Sequence, residues 1–98
     1  MLDAFTERQM QRFPLGHVVT MPVALNEVQR LGVNPLELIG KHVTLDPGVL
    51  NADDQAANER AVLDGSRVLS AYDYASTRFY VITEWDRSVT TLLLASDY

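Results

Sequence analysis

Read for spacing alone, the chain changes character near Gly65: helical periodicity lies before it and strand-like alternation after it. Residues 3–13 place Ala4, Phe5, Met10 and Phe13 on a first helix. Pro14 closes it, because proline disfavours the helical conformation in the residue before it. His17, Val18, Val19 and Thr20 make a short β-branched stretch, either an edge strand or an extended connector. Thr20 reads as the cap of a second helix in which Ala24, Leu25, Val28 and Leu31 recur at helical spacing. Gly32 takes the left-handed position after it, with Val33 as the following apolar contact. Asn34 caps a short third helix with Pro35 at its first position and Glu37 reaching back as in a capping box. That helix is expected to bury Leu36 and Ile39 and to fade near Gly40 and His42. Asp46, Pro47 and Gly48 are turn chemistry. Asn51 caps a fourth helix, whose first turn holds Asp53 and Asp54, where the helix dipole favours anions. Ala56, Ala57, Arg60, Ala61 and Leu63 give it a small-residue face, and Gly65 ends it.

Residues 67–73, 78–84 and 88–94 are rich in Val, Leu, Ile, Tyr, Phe and Thr and are joined by short polar links. They predict a three-stranded antiparallel meander with the N-terminal helices on one face, an α+β fold in a single domain spanning residues 1–98. Pairing Asp73 with Arg78 sets Ala71 against Tyr80, Leu69 against Ile82 and Arg67 against Glu84. Opposite-charge cross-strand pairs are worth ~0.2–1 kcal/mol each and favour that register. It gives one uncharged face, with Val68, Ser70, Tyr72, Phe79, Val81 and Thr83, suited to the helices. The other face has Leu69, Ala71, Tyr80 and Ile82 inside a ring of Arg67, Asp73, Arg78 and Glu84. With an even-numbered loop around Trp85, Asp86 and Arg87, the last strand adds Leu92 and Leu94 to the first face, and Val89 and Leu93 to the second. An apolar centre inside an ionic rim is how a contact surface looks, so a homodimer through this face is expected. The rival expectation is that residues 1–13 cover the face within one chain.

Composition narrows the function. The 98 residues include no cysteine, which excludes disulfides, thiolate chemistry and Cys-bound metal. The N-terminal residues are polar and mixed in charge, unlike a signal peptide, and no apolar run approaches a bilayer span. A cytoplasmic protein without membrane contact is the expectation. Eight Lys and Arg face thirteen Asp and Glu, a net charge of −5, and the cations are scattered singly. Direct nucleic-acid binding wants a clustered cationic footprint and is disfavoured. The acidic excess at Asp53, Asp54, Glu59 and Asp64 admits a nucleic-acid mimic, but the patch is thin and an ordinary solubilising surface explains it more simply.

No phosphate-binding glycine loop, nucleophile elbow or paired-histidine zinc sequence occurs. His17 and His42 lack partners at ligand spacing, and a turn separates His42 from Asp46. They read as partly exposed or core-satisfied, with no metal and no cofactor implied. Glu84, Trp85, Asp86 and Arg87 form the most unusual stretch: two carboxylates around an aromatic platform, a candidate polar site for a sugar or cation. The plainer reading is a hairpin loop in which Asp86 and Ser88 satisfy backbone donors, Arg87 pairs with a carboxylate and Trp85 covers a core edge.

The residues Phe13-Pro14-Leu15-Gly16, Asn34-Pro35-Leu36-Glu37-Leu38-Ile39 with His42-Val43, Asn58-Glu59-Arg60-Ala61, Leu69-Ser70-Ala71-Tyr72 and Ile82-Thr83-Glu84-Trp85-Asp86-Arg87-Ser88-Val89-Thr90-Thr91 together resemble small "plasmid-related" proteins of bacterial plasmids and integrative elements. Trp85 departs from that pattern, which favours a small residue there, as do Asp46-Pro47-Gly48, where a glycine–aspartate–aromatic turn is usual. The resemblance implies an accessory protein of mobile DNA and carries over no activity. Its partner would be an unidentified protein. An enzyme or ligand-binding protein using Glu84, Asp86 and Arg87 is the alternative. An mRNA-cleaving toxin is a further one, matching the helices-then-meander outline but not the acidic charge.

Overall fold

Beyond Gly65 the alternating residues fold as the meander their spacing predicts. The computed structural model describes residues 11–98. In chain order it has β1 (His17–Thr20), α1 (Pro22–Leu31), α2 (Pro35–Val43), α3 (Ala52–Asp64), β2 (Val68–Tyr74), β3 (Thr77–Thr83), β4 (Val89–Leu94) and a closing 3-10 turn (Ala95–Asp97). The fold is α+β. Leu69 stands opposite Ile82, Ala71 opposite Tyr80 and Asp73 opposite Arg78, the register expected from charge. Arg78 Nε donates to Asp73 Oδ1 at 2.8 Å. Arg67 and Glu84 lie just outside the paired residues.

The sheet is four-stranded and mixed, which corrects the three-stranded expectation. Its order is β1-β4-β3-β2, with β1 parallel to β4. A parallel partner so distant in sequence has no hairpin turn to announce it. Gly16 makes the approach possible. Its φ is +64°, and a methyl group there would overlap the carbonyls of Arg87 and Ser88.

The core lies between the inner sheet face and the helices. Ala24, Val28, Leu38, Ile39, Tyr72, Phe79, Val81 and Leu92 form one buried cluster, and Phe13, Ala61 and Val68 form a second. A side chain the size of Leu38 or Phe79 gains roughly 1.5–3 kcal/mol from such burial.

Several helix details differ from the spacing argument. Residues 11–13 are not helical: Arg12 N–H donates to Val43 O at 2.9 Å and Phe13 is buried. The rest of the expected first helix lies outside the described residues. Met21, not Thr20, caps α1, because Pro22 fits the first helical position. Asn34 does cap α2, accepting from Leu36 N–H at 3.0 Å. Leu36 is 70% exposed and Leu38 is buried in its place, since Leu38, Ile39 and His42 share the face turned to the sheet. That shared face also carries α2 on to Val43. On α3 the inward residues are Asn58 and Ala61; Ala56, Ala57, Arg60 and Leu63 face outward.

Candidate interaction surface

The most polar part of the interior is a chain of hydrogen bonds through the core. His42, Ser70, Thr83 and Thr90 are fully buried. Ser70 Oγ lies 2.7 Å from His42 Nδ1, Thr83 Oγ1 2.8 Å from His42 Nε2, and Thr90 Oγ1 2.6 Å from Thr83 Oγ1. Thr90 Oγ1 donates to Leu15 O at 2.7 Å. A carbonyl only accepts, so each proton along the chain is assigned in turn. Thr90 gives its proton to Leu15, Thr83 gives its own to Thr90, and His42 donates from Nε2 to Thr83. His42 Nδ1 is left to accept from Ser70. Burial pushes the ring's pKa down to about 4, so it is neutral at pH 7 and Nδ1, carrying no proton, is the acceptor. Ser70 and His42 sit at the distance of a nucleophile and its base, but Phe13 packs edge-on against the imidazole at 5.2 Å and both are sealed from solvent. The chain pins β1's entry segment, α2 and the sheet together.

The loop from Glu84 to Arg87 is held as a hairpin connection. Asp86 Oδ1 accepts from Ser88 N–H at 3.0 Å, as expected. Arg87 takes carbonyls rather than a carboxylate: Ala61 O at 2.8 Å, Ser66 O at 2.6 Å and Glu84 O at 3.2 Å. Its guanidinium also stands 5.7 Å from the centre of the Phe13 ring. It thereby caps the last turn of α3 and ties that turn to the hairpin. Trp85 is 69% exposed and covers no core edge.

On the outward sheet face Ala71 and Ile82 are buried, while Leu69, Tyr80, Val89 and Leu93 are half-buried. The chain's own end supplies cover there. Tyr98 packs edge-on against Tyr80 at 5.5 Å, and Arg67 donates to its hydroxyl. Of residues 1–13, the cover weighed from sequence, 1–10 lie outside the described residues, and Phe13 packs in the core against His42 instead.

The two sheet edges differ. The β2 edge is covered at Leu69 and Ala71: Asn58 Nδ2 donates to Leu69 O at 2.7 Å, its Oδ1 accepts from Leu69 N–H at 3.1 Å, and Val49 N–H donates to Ala71 O at 2.9 Å. Along β1, His17 N–H and Met21 N–H donate to Ser88 O and Leu92 O, each at 2.9 Å. Backbone direction alternates along a strand, so Val18 and Thr20 turn their N–H and C=O groups away from the sheet. Among the described residues nothing pairs with them. Val18 and Val19 are 46% and 41% exposed, and Met21, next along the chain, is exposed too. Sequence reasoning noted the strand but not its value as a surface. The available signal was its position inside residues 13–26, the longest stretch free of Lys, Arg, Asp and Glu.

A shallow cleft of about 430 Å³ lies along α2, lined by Glu37 and Lys41 among others. Lys41 Nζ donates to Tyr74 Oη at 3.2 Å, and Tyr74 Oη donates to Glu37 Oε2 at 2.7 Å, so its polar groups largely satisfy one another. The Tyr74 hydrogen bond raises the Lys41 pKa and keeps the ammonium charged. Among the described residues no three His, Asp or Glu side chains gather to hold a metal, and no helix is long and apolar enough to cross a membrane. No protein-family model, curated protein or solved structure matches this chain.

Proposed function

We propose that this protein acts by binding other proteins, without catalysis, as an accessory protein of bacterial mobile DNA. The open β1 edge carries the reading. Among the described residues nothing pairs with the outward backbone groups of Val18 and Thr20, and Val18, Val19 and Met21 are exposed, the combination that lets a strand edge recruit a further strand. The setting in mobile DNA is supported by the resemblance of Ile82-Thr83-Glu84-Trp85-Asp86-Arg87-Ser88-Val89-Thr90-Thr91 and the earlier segments to plasmid-borne proteins. The polar-site alternative loses support from the loop itself, where Asp86 and Arg87 serve the local backbone. Immobilised wild type and a Val18→Lys variant, each exposed to host lysate, test the reading. Proteins retained by the wild type should be lost from the variant. If the variant retains them all, the edge is not the contact surface.

A further inference from the structure

We infer that the β1 edge pairs with the β1 edge of a second copy, antiparallel about a two-fold axis at Val19. This inference rests on the contact reading of that edge and names its occupant. Backbone geometry restricts the register. Val18 and Thr20 present outward N–H and C=O groups, and an antiparallel partner must exchange both with each. Placing Val18 opposite the copy's Val18 would bring Gly16 against Thr20, but Gly16 has a left-handed φ of +64° and is not extended. Placing Thr20 opposite the copy's Thr20 would bring Pro22 against Val18, and proline has no N–H to give. Val18 opposite Thr20 remains, and it satisfies every outward group of both residues in both chains. Val19 then meets its own counterpart across the axis as a β-branched pair.

Charge favours a second copy here more than elsewhere on the molecule. The net charge of −5 drives copies apart, yet residues 13–26 carry no Lys, Arg, Asp or Glu, so this contact brings the fewest like charges together. Met21, next along the chain from the strand, is exposed as well and adds apolar area to the edge. Exchange of identical edges is also closed, so it stops at two copies.

The absence of native cysteine makes the test direct. In the proposed register the Val19 Cα atoms of the two chains are about 4.5 Å apart, within disulfide range. Val19→Cys should therefore oxidise to a covalent dimer far faster than Leu63→Cys, placed on an exposed α3 position. Wild type should sediment as a dimer at high micromolar concentration. Thr20→Pro removes one outward donor and leaves the β4 pairing intact, so it should sediment as a folded monomer; Val18→Lys serves the same purpose should Thr20→Pro not fold. Monomeric wild type with no preference for Val19→Cys cross-linking overturns the inference. So does a dimer that survives both edge variants and is lost on Tyr80→Asp, which places the contact on the outward face. If lysate capture still depends on Val18 while wild type is monomeric, the edge binds a different protein and only the self-pairing fails.

Discussion

His42 takes part in the fold as a neutral ring with both nitrogens engaged, and that state has a pH signature. Its pKa falls from the ordinary 6.5 to about 4 because burial opposes the charge. The unfolded chain takes up its proton as pH drops through about 6.5, and the folded chain does not until about 4. Stability from this residue is thus fully present above about pH 6.5 and is lost progressively down to about 4. At about 1.4 kcal/mol per pH unit the loss reaches about 3 kcal/mol. Urea titrations at steps across that window should show it, and the ring nitrogens should report the Nε2–H tautomer by NMR at neutral pH. A His42 titration near 6.5 would sink the assignment. Thr83→Val keeps the shape but removes the acceptor of Nε2–H and the donor to Thr90, so it should cost about 1–3 kcal/mol. Sequence left His42 as either exposed or core-satisfied because its partners, Ser70 and Thr83, come from strands far along the chain. Their hydroxyls on the uncharged sheet face were visible; the meeting was not.

Elements were legible where local chemistry dictated them and obscure where tertiary contact did. The β2–β3 register could be read because Asp73 and Arg78 fix it and alternation then sorts the faces. The even loop length put Leu92 and Leu94 on the inner face and Val89 and Leu93 on the outer one, and β4 pairs with Leu93 opposite Tyr80 and Leu92 opposite Val81. The β1–β4 pairing had no such local mark. Nor did α3, whose inward face uses Asn58 as a peptide-like partner for Leu69, a residue outside the small-residue face its spacing suggests. Asn58→Ala should cost about 2 kcal/mol by leaving the Leu69 amide and carbonyl without partners, and Asn58→Asp should not restore it, since a carboxylate cannot donate to Leu69 O. Chemical denaturation measures both, and a neutral Asn58→Ala argues against the edge-closing role. The β2–β3 turn offers the opposite sign. Ala75 holds φ at +55° where glycine is the easy choice, so Ala75→Gly should raise stability by about 1 kcal/mol in the same assay.

At the scale of the whole molecule, one sheet face is packed under helices, the β2 edge is covered at Leu69 and Ala71, and the proposed contact falls on the β1 edge. The outward face is not bare, because the 3-10 turn Ala95–Asp97 brings Tyr98 back over it. Tyr98 packs on Tyr80 at 5.5 Å, and the Arg67 guanidinium stands 5.6 Å from the centre of the Tyr98 ring. An aromatic pair contributes ~0.5–1.5 kcal/mol and an exposed cation–π contact ~0.5–1 kcal/mol. Tyr98 is itself 61% exposed, so Tyr98→Ala should cost about 1 kcal/mol in urea unfolding rather than the sum. The same change uncovers Tyr80 on the face that also carries Leu69, Val89 and Leu93, enlarging its apolar patch. Tyr98→Ala should therefore bind more hydrophobic dye and add concentration-dependent association that persists when Val18→Lys is combined with it. A double-mutant cycle with Arg67→Ala isolates the Arg67–Tyr98 coupling from the loss of ring packing. Unchanged stability and dye binding in Tyr98→Ala would show that Tyr98 does not cover the face. Association abolished by adding Val18→Lys would instead trace it to the edge, because a face newly exposed by Tyr98 has no need of Val18.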